Sequence, residues 1–341
     1  MKNILVVGFI LWLGAYQAQD LFFTQYDKCL MVLNPSAAGS FDGFERFSMQ
    51  HKNQWVGAGT SFASTMGSAE LTMGKNKFNN RSYLGAGMHF LRDVGGDARF
   101  GTSAFGGTLS GHLVTSPKTK ISAGIQLSYT NRSGDFSKLQ WYSQWNGNIF
   151  DPSNPVNEPS QVPKYNYIDA SAGVSFALIN KGNGVGNGKM NALNIGFFAQ
   201  HLNRPKLRYN DITLDRLYMK TGVHAETEIA LDNLYSIELK TLQLFQGQHY
   251  LGRYGLFLKI KMAQTAQITR LKNDAFVSCG LYASSTGTIS PAFLVDLGGL
   301  QFGFNYDLEL ARISRAYRSS LEFTLSYAFT KNSLFNKRKI G

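Results

Sequence analysis

Large apolar side chains alternate with polar or small ones along many stretches of the chain. In "LEFTLSYAF" (residues 321–329), every second residue from Leu321 onward is large and apolar, and Glu322 is one of the residues between them. Side chains on a β-strand alternate between the two faces of the sheet. Such a strand has one apolar and one polar face, and its apolar face contacts either a protein core or lipid.

The same alternation recurs from Phe44 almost to the end of the chain. It is clear in "ISAGIQLSY", "YSIELKTL", "LFLKIKM" and "LQFGFNYDLEL", and no helical periodicity intervenes between such segments. Turn-forming stretches such as "LRDVGGDAR", "TSPKTK" and "NKGNGVGNGK" separate them. We count about fourteen strands of about 9 to 14 residues, longer than the five or six residues of an average soluble strand.

Residues 1–18 have the pattern of a secretory signal peptide. Lys2 is followed by the apolar run Ile4–Leu13, and the small residue Ala18 precedes the expected cleavage site before Gln19. The apolar run is too short to cross a membrane as a helix. A membrane protein without spanning helices has to be a barrel, because every backbone polar group in lipid needs an internal partner.

We therefore predict an all-β fold, a single transmembrane antiparallel β-barrel of about 14 strands, roughly 12 to 16, in the outer membrane. The barrel is assigned to residues 44–330, and a secreted soluble β-sandwich array is the alternative. Residues 19–43 alternate poorly and are expected either to plug the barrel or to lie along its periplasmic rim. The basic tail 331–341 is expected to be a frayed terminus.

Composition agrees with exported β structure. Charged residues make up only 16% of the chain, against about 25% in average soluble domains, and the formal net charge is +12. Lys and Arg are scattered along the sequence, so we expect no nucleic-acid partner. Their candidate counter-charges are lipid phosphates, acidic lipopolysaccharide or acidic loops of a partner. The alternative is a basic surface that is simply solvated and binds none of these. Cys29 and Cys279 lie far apart in the sequence, and we expect free thiols rather than a disulfide.

One long segment, residues 139–163, cannot be a central strand. It contains four of the chain's eight prolines, Pro152, Pro155, Pro159 and Pro163. Trp141, Tyr142 and Trp145 lie near its start. Long loops of bacterial barrels face outside, so these aromatic residues are expected either to contact a partner or to pack against the barrel rim.

Motifs for catalysis, cofactors or metals are absent from the sequence. There is no G-x-S-x-G, H-E-x-x-H, P-loop or zinc spacing, and we predict neither an enzyme nor a cofactor. His89, His112 and His224 fall in predicted strands and are expected to line the interior. Ser110 lies two residues before His112 and on the same face, so an outer-membrane hydrolase is a weaker alternative.

Several stretches resemble the PorP/SprF family of outer-membrane proteins, which belongs to the type IX secretion and gliding machinery of Bacteroidetes. They are Gln19-Asp20, "FTQY" (residues 23–26), "NPSAAG" (residues 34–39), "KNQWVG" (residues 52–57), the third and fourth strands, the Trp-rich loop and the last hairpin. In "NPSAAG", Ser36 and Ala37 replace the family's usual Ala and Tyr. The resemblance covers nearly the whole chain.

The resemblance implies a barrel that assists secretion or surface attachment of a partner protein such as an adhesin. Implied partners are outer-membrane lipid and either the C-terminal domain of a secreted adhesin or type IX secretion components; no small-molecule substrate is expected. A passive channel or small-molecule transporter is the alternative function. Our candidate partner-binding residues are Gln25, Tyr26, Asn34 and Pro35, for which sealing of the barrel is the alternative role, and Trp141, Trp145 and Phe150.

Overall fold

The computed structural model describes residues 23–55, 62–75, 82–135, 139–157, 164–179, 189–209, 213–263, 275–310, 319–330 and 334. The predicted signal peptide, the glycine-rich stretch within 180–188, Pro159, Pro163 and nearly all of the basic tail lie outside the described residues. Within the described ranges, no helix is both long and apolar enough to cross a membrane.

Fourteen antiparallel strands form a closed barrel in the described part of the chain, which confirms the predicted fold class. Each barrel strand pairs with the barrel strands that come before and after it in the chain, and the first pairs with the last to close the ring. The barrel strands are β1 (Glu45–Gln54), β2 (Phe62–Met73), β3 (Tyr83–Gly95), β4 (Phe100–Val114), β5 (Thr119–Ser133), β6 (Tyr165–Ile179), β7 (Lys189–Gln200), β10 (Lys220–Ala230), β11 (Tyr235–Gln246), β12 (His249–Ala263), β13 (Ala275–Ser284), β14 (Thr288–Leu297), β15 (Leu300–Glu309) and β16 (Ser319–Ala328).

A separate two-stranded hairpin lies in the connection between β7 and β10. Its strands are β8 (Lys206–Tyr209) and β9 (Thr213–Arg216). This connection, 201–219, and the connection 134–164 between β5 and β6 leave the barrel at the same end. The first barrel strand starts, and the last one finishes, at the opposite end. The two ends of the barrel therefore differ in the length of their connections.

The apolar face of the alternating strands points outward. In β16, Phe323, Leu325 and Tyr327 are exposed on the outer wall, whereas Glu322 and Thr324 are buried inside the ring. The barrel strands contain 10 to 15 residues, and about 9 to 11 residues of tilted strand suffice to cross a bilayer. The apolar face in "LEFTLSYAF" is thus the face that contacts lipid.

The interior is not uniformly polar, because the polarity of the two faces reverses along β11. Glu238 and Lys240 point inward in its first half, but Leu242 and Leu244 occupy the inward positions beyond them. These leucines belong to a buried apolar cluster on the inner wall, together with Phe198, Leu251, Phe257, Tyr282, Ala292 and Leu294. An inward apolar surface requires something other than water to cover it.

Residues 23–40, which we call the inner segment, cover that surface. They form short helical turns at Tyr26–Cys29, at α1 (Leu30–Leu33) and at Pro35–Ala37. Tyr26 and Leu30 pack into the apolar cluster. Polar atoms of the segment bind inward-facing side chains of β1, β2, β15 and β16, which are adjacent in the ring, and of β4, β7 and β11 further around it. The inner segment therefore lies within the barrel.

Candidate functional site

A buried polar cluster holds the beginning of the inner segment. The backbone N–H groups of Thr24 and Gln25 donate to the two carboxylate oxygens of Glu322 at 2.7 and 2.8 Å. The Thr24 hydroxyl donates to Asp307, whose carboxylate also lies 2.7 Å from the Lys52 ammonium. A buried carboxylate needs such donors or a counter-charge, so these side chains and the segment stabilise one another.

A second ionic contact lies one turn further along the segment. The Asp27 carboxylate lies 2.8 Å from the Lys240 ammonium and accepts a 2.8 Å hydrogen bond from the Tyr282 hydroxyl. Burial disfavours the charged form of Asp27, but Lys240 and Lys28 and the two hydrogen bonds outweigh it and hold the pKa of this carboxyl well below its ordinary value. Asp27 is consequently a charged anchor between the segment and the inner wall.

Asn34 forms the central polar contact of the segment. Its Nδ2 donates to His224 Nε2 at 3.0 Å, and its Oδ1 accepts from the backbone N–H and hydroxyl of Ser36 at 3.1 and 2.7 Å. Asn34 thereby caps the turn Pro35–Ala37 and ties it to β10. The asparagine-proline pair in "NPSAAG" thus combines a turn with attachment to the wall.

Glycines on the inner wall make room for this turn. A Cβ atom on Gly173 would overlap Asn34 Oδ1, one on Gly124 would overlap the Pro35 carbonyl, and one on Gly85 would overlap the Ala38 carbonyl. These glycines occupy inward positions of β6, β5 and β3. The three strands therefore bring their backbones closer to the segment than any side chain permits.

The Ser110–His112 pair that the sequence singles out lies beside the same turn. Ser110 Oγ and His112 Nε2 are 3.1 Å apart, and both contact the Ala38 carbonyl, at 2.6 and 2.7 Å. A carbonyl accepts, so His112 donates its Nε2 proton to Ala38 and in this state cannot act as a base toward Ser110. The pair holds the segment in place.

The four candidate residues of the N-terminal region are brought together inside the barrel. Gln25, Tyr26, Asn34 and Pro35 are all buried, and Gln25 and Asn34 are fully enclosed. Gln25 Nε2 donates to Asn305 at 2.7 Å, and the main-chain carbonyl of Gln25 accepts from Gln50 at 2.8 Å. In this arrangement these four side chains contact the barrel and do not reach its outer surface.

The three candidates in the 134–164 connection lie apart from the first group, outside the barrel. Trp145 and Phe150 face each other across an isolated antiparallel bridge, and Trp141 precedes the short turn Tyr142–Gln144. Trp145 is about half exposed (51%) and Tyr142 almost fully exposed (89%). An exposed aromatic surface is therefore present on this connection.

A family model described as "Type IX secretion system membrane protein PorP/SprF" matches residues 15–327. The chain belongs to the PorP/SprF family. Family and fold together are those of an outer-membrane barrel of secretion machinery, not of an enzyme class. No curated protein shows significant sequence similarity to this PorP/SprF member.

Solved structures share the barrel architecture at very low sequence identity. The toluene transporter TbuX of Ralstonia pickettii superposes with a TM-score of 0.52 at 9% identity, covering 89% of this chain and 94% of that one. A deletion mutant of the monoaromatic hydrocarbon channel TodX gives 0.50 at 8% identity, with the same coverage. At such identities the similarity is one of fold alone.

Sequence reasoning missed most of the wall residues that bind the inner segment. The alternation identifies Glu322 and Lys240 only as members of polar strand faces, it treats the glycines of "LGAGMHF" only as small residues between apolar ones, and it does not single out Gln50. The sequence does contain a signal for a bound segment, because "LGAGMHF" and "ISAGIQL" place glycine at inward positions where a water-filled barrel carries polar side chains. Glycine at such a position indicates close approach of another backbone.

Proposed function

We propose that this PorP/SprF member assists the secretion or surface attachment of a partner protein by type IX secretion. The inner segment closes the barrel, and the aromatic surface of the 134–164 connection contacts the partner. The partner is either the C-terminal domain of a secreted adhesin or another component of the secretion machinery. The export signal at residues 1–18 and the outer membrane as the site of action are parts of the same proposal.

The observation that carries the proposal is the occupied interior. Thr24, Gln25 and Asn34 are fully buried among side chains of the inner wall, with contacts on both sides of the ring. A barrel that passively conducts small solutes needs a continuous aqueous path along its lumen. A barrel closed by a built-in segment suits a protein that docks another protein.

The unequal connections support the assignment of the contact surface. Outer-membrane barrels have short turns on the periplasmic side and longer loops outside the cell. The 134–164 and 201–219 connections leave the same end, so we assign that end to the exterior. Tyr142 and Trp145 then face the medium, and aromatic residues are enriched where proteins bind one another.

The test is a pull-down of tagged protein from native outer membranes in mild detergent, with mass spectrometry of the proteins that accompany it. We expect a large secreted surface protein or secretion components in stoichiometric amount. The double variant Tyr142→Ala/Trp145→Ala should lose this partner. Tyr218→Ala is the matched control, because Tyr218 is also an exposed aromatic residue (61%) on the connection at the same end.

Two results would count against the proposal. Recovery of the barrel without partners from native membranes would remove the docking role, and conductance in a planar bilayer would then favour the passive channel. Equal partner loss in the Tyr218→Ala control and in the double variant would show that the 134–164 connection has no special role. The shift of the folded band on unheated gels verifies that each variant still forms a barrel.

A further inference from the structure

The inner wall binds the main chain of the inner segment along its length, from Thr24 to Gly39. Gln50 donates to the Gln25 carbonyl at 2.8 Å, Gln200 to the Val32 carbonyl at 2.8 Å, and Ser110 to the Ala38 carbonyl at 2.6 Å. Glu322 and Glu70 accept from backbone N–H groups at the two ends of the segment. All of these wall side chains are buried. Main-chain recognition of this kind tolerates different side chains on the ligand.

The tightest side-chain requirements of the site lie in one turn. Asn34 is held by His224, and the positions after Pro35 are small, since Ser36, Ala37 and Ala38 are buried against the wall. Gly173 and Gly124 accept this turn only because they lack a Cβ atom. The site therefore selects an asparagine-proline turn followed by small residues.

The inner segment does not satisfy the site completely. Gln50 Oε1, Gln25 Oε1 and His224 Nδ1 are buried and have no hydrogen-bond partner among the described protein atoms. An unsatisfied buried polar atom destabilises the arrangement that leaves it without a partner. A different polypeptide segment with a donor near Gln50 Oε1 or an acceptor near His224 Nδ1 can bind the same wall with more of its polar atoms satisfied.

We propose that the barrel interior is a peptide-binding site, in which the inner segment is an intramolecular ligand. A segment of a partner protein, with an asparagine-proline turn followed by small residues, replaces it. This inference rests on the proposed function, since it assumes a protein partner, and it identifies the part of that partner that enters the barrel. Docking on the aromatic connection precedes the exchange.

The experiment uses the full chain, folded intact and then cut once. A protease recognition sequence is inserted after Asp42, which is exposed where the inner segment leads into β1. After cleavage, the first probe is a fluorescent synthetic peptide of residues 23–40. The second keeps "NPSAAG" together with Tyr26, Asp27 and Leu30 and changes the other flanking residues, and the third is the first with Asn34→Ala. Exchange is followed by fluorescence anisotropy of the purified barrel in detergent.

We expect the cleaved fragment to stay with the barrel in size-exclusion chromatography and to exchange with the first two peptides. The Asn34→Ala peptide should bind at least about tenfold more weakly, since it loses the His224 and Ser36 contacts. Gly173→Val in the barrel should abolish binding. Gly107→Val should leave binding unchanged, because nothing lies within 4 Å of a Cβ atom at that glycine.

The proposal is overturned if no labelled peptide binds a cleaved barrel that remains folded on unheated gels. It is also overturned if the Asn34→Ala peptide binds as well as the first, or if only the unchanged sequence of residues 23–40 binds. These results need no partner protein, so they are independent of the pull-down. A barrel that exchanges peptides but recovers no partner from membranes keeps the site and loses the proposed function.

Discussion

The Asn34→Ala variant tests whether the inner segment is held by the contacts described above. Asn34 makes three good hydrogen bonds, one to His224 at 3.0 Å and two to Ser36 at 3.1 and 2.7 Å. Taking about 1 kcal/mol of net stability for each, the variant destabilises the closed arrangement by about 3 kcal/mol. That free energy corresponds to about a 100-fold larger population of barrels with the segment released.

Cys29 provides a natural probe of that population. It is buried in the inner segment, it is not in a disulfide, and burial raises the pKa of its thiol to about 11. The thiolate is the reactive form, so a maleimide labels Cys29 only when the segment leaves the wall. The background variant Cys279→Ser removes the other free thiol, which is exposed on the outer wall.

We expect Asn34→Ala to raise the rate of Cys29 labelling about 100-fold at constant pH, in proportion to the released population. Asn53→Ala is the control, because Asn53 is an exposed asparagine of β1, and its rate should equal that of the background. A less than about threefold increase in a folded Asn34→Ala barrel would refute the reasoning, since it would mean that these contacts add almost nothing to closure.

Three further predictions concern the anchors of the segment. Glu322→Gln removes the charged acceptor of two backbone N–H groups, and it should speed amide hydrogen exchange in residues 23–40 by about tenfold or more, with exchange in β16 as the reference. Acidification should release the segment as well. The pKa of Asp27 in the closed arrangement lies below its ordinary value of about 3.9. The contribution of Asp27 to the stability of closure is therefore complete above that pH and is lost as the pH falls through the lower folded-state pKa. Asp27→Asn at neutral pH should raise amide hydrogen exchange in residues 23–40 by part of the increase that acidification causes. If exchange in that variant depends on pH as it does in the unmodified barrel, Asp27 is not the group that acid titrates. Finally, the unmodified barrel should show little conductance in planar bilayers and Glu322→Gln intermittent openings, whereas steady conductance of the unmodified barrel would contradict a closed interior.

The sequence predicts the barrel because alternation is a local property of each strand. The outward positions of "LFLKIKM" and "LEFTLSYAF" are apolar for contact with lipid, and their period is visible without knowledge of any neighbour. The count of about fourteen strands and the closed antiparallel arrangement are confirmed for the same reason. The β8–β9 hairpin was not predicted, because four-residue strands leave too short a pattern.

Alternation does not reveal what fills the interior. Glu322 and the Thr24 N–H that it binds are 298 positions apart in the chain, and no local pattern connects them. The reversal within β11 has the same cause: Leu242 and Leu244 point inward because Tyr26 and Leu30 cover them, and these covering residues belong to a remote segment. The inner wall is complementary to a ligand that only the folded ring brings into contact with it.

Polar and apolar contacts together hold the inner segment on the wall, and this combination explains how a closed barrel can also open. Polar side chains such as Gln50, Gln200 and Ser110 lose their segment carbonyls on release, but water entering a polar lumen replaces those hydrogen bonds, so that each one lost costs only about 1 kcal/mol net. The apolar cluster around Leu242 and Phe257 has no such replacement, and it favours a covering polypeptide at all times. Release into an empty lumen is therefore disfavoured, whereas exchange for another segment that covers the same leucines is not. In the proposed exchange, closure and partner binding are alternative occupancies of one surface, and the partner's segment supplies the free energy that opens the barrel.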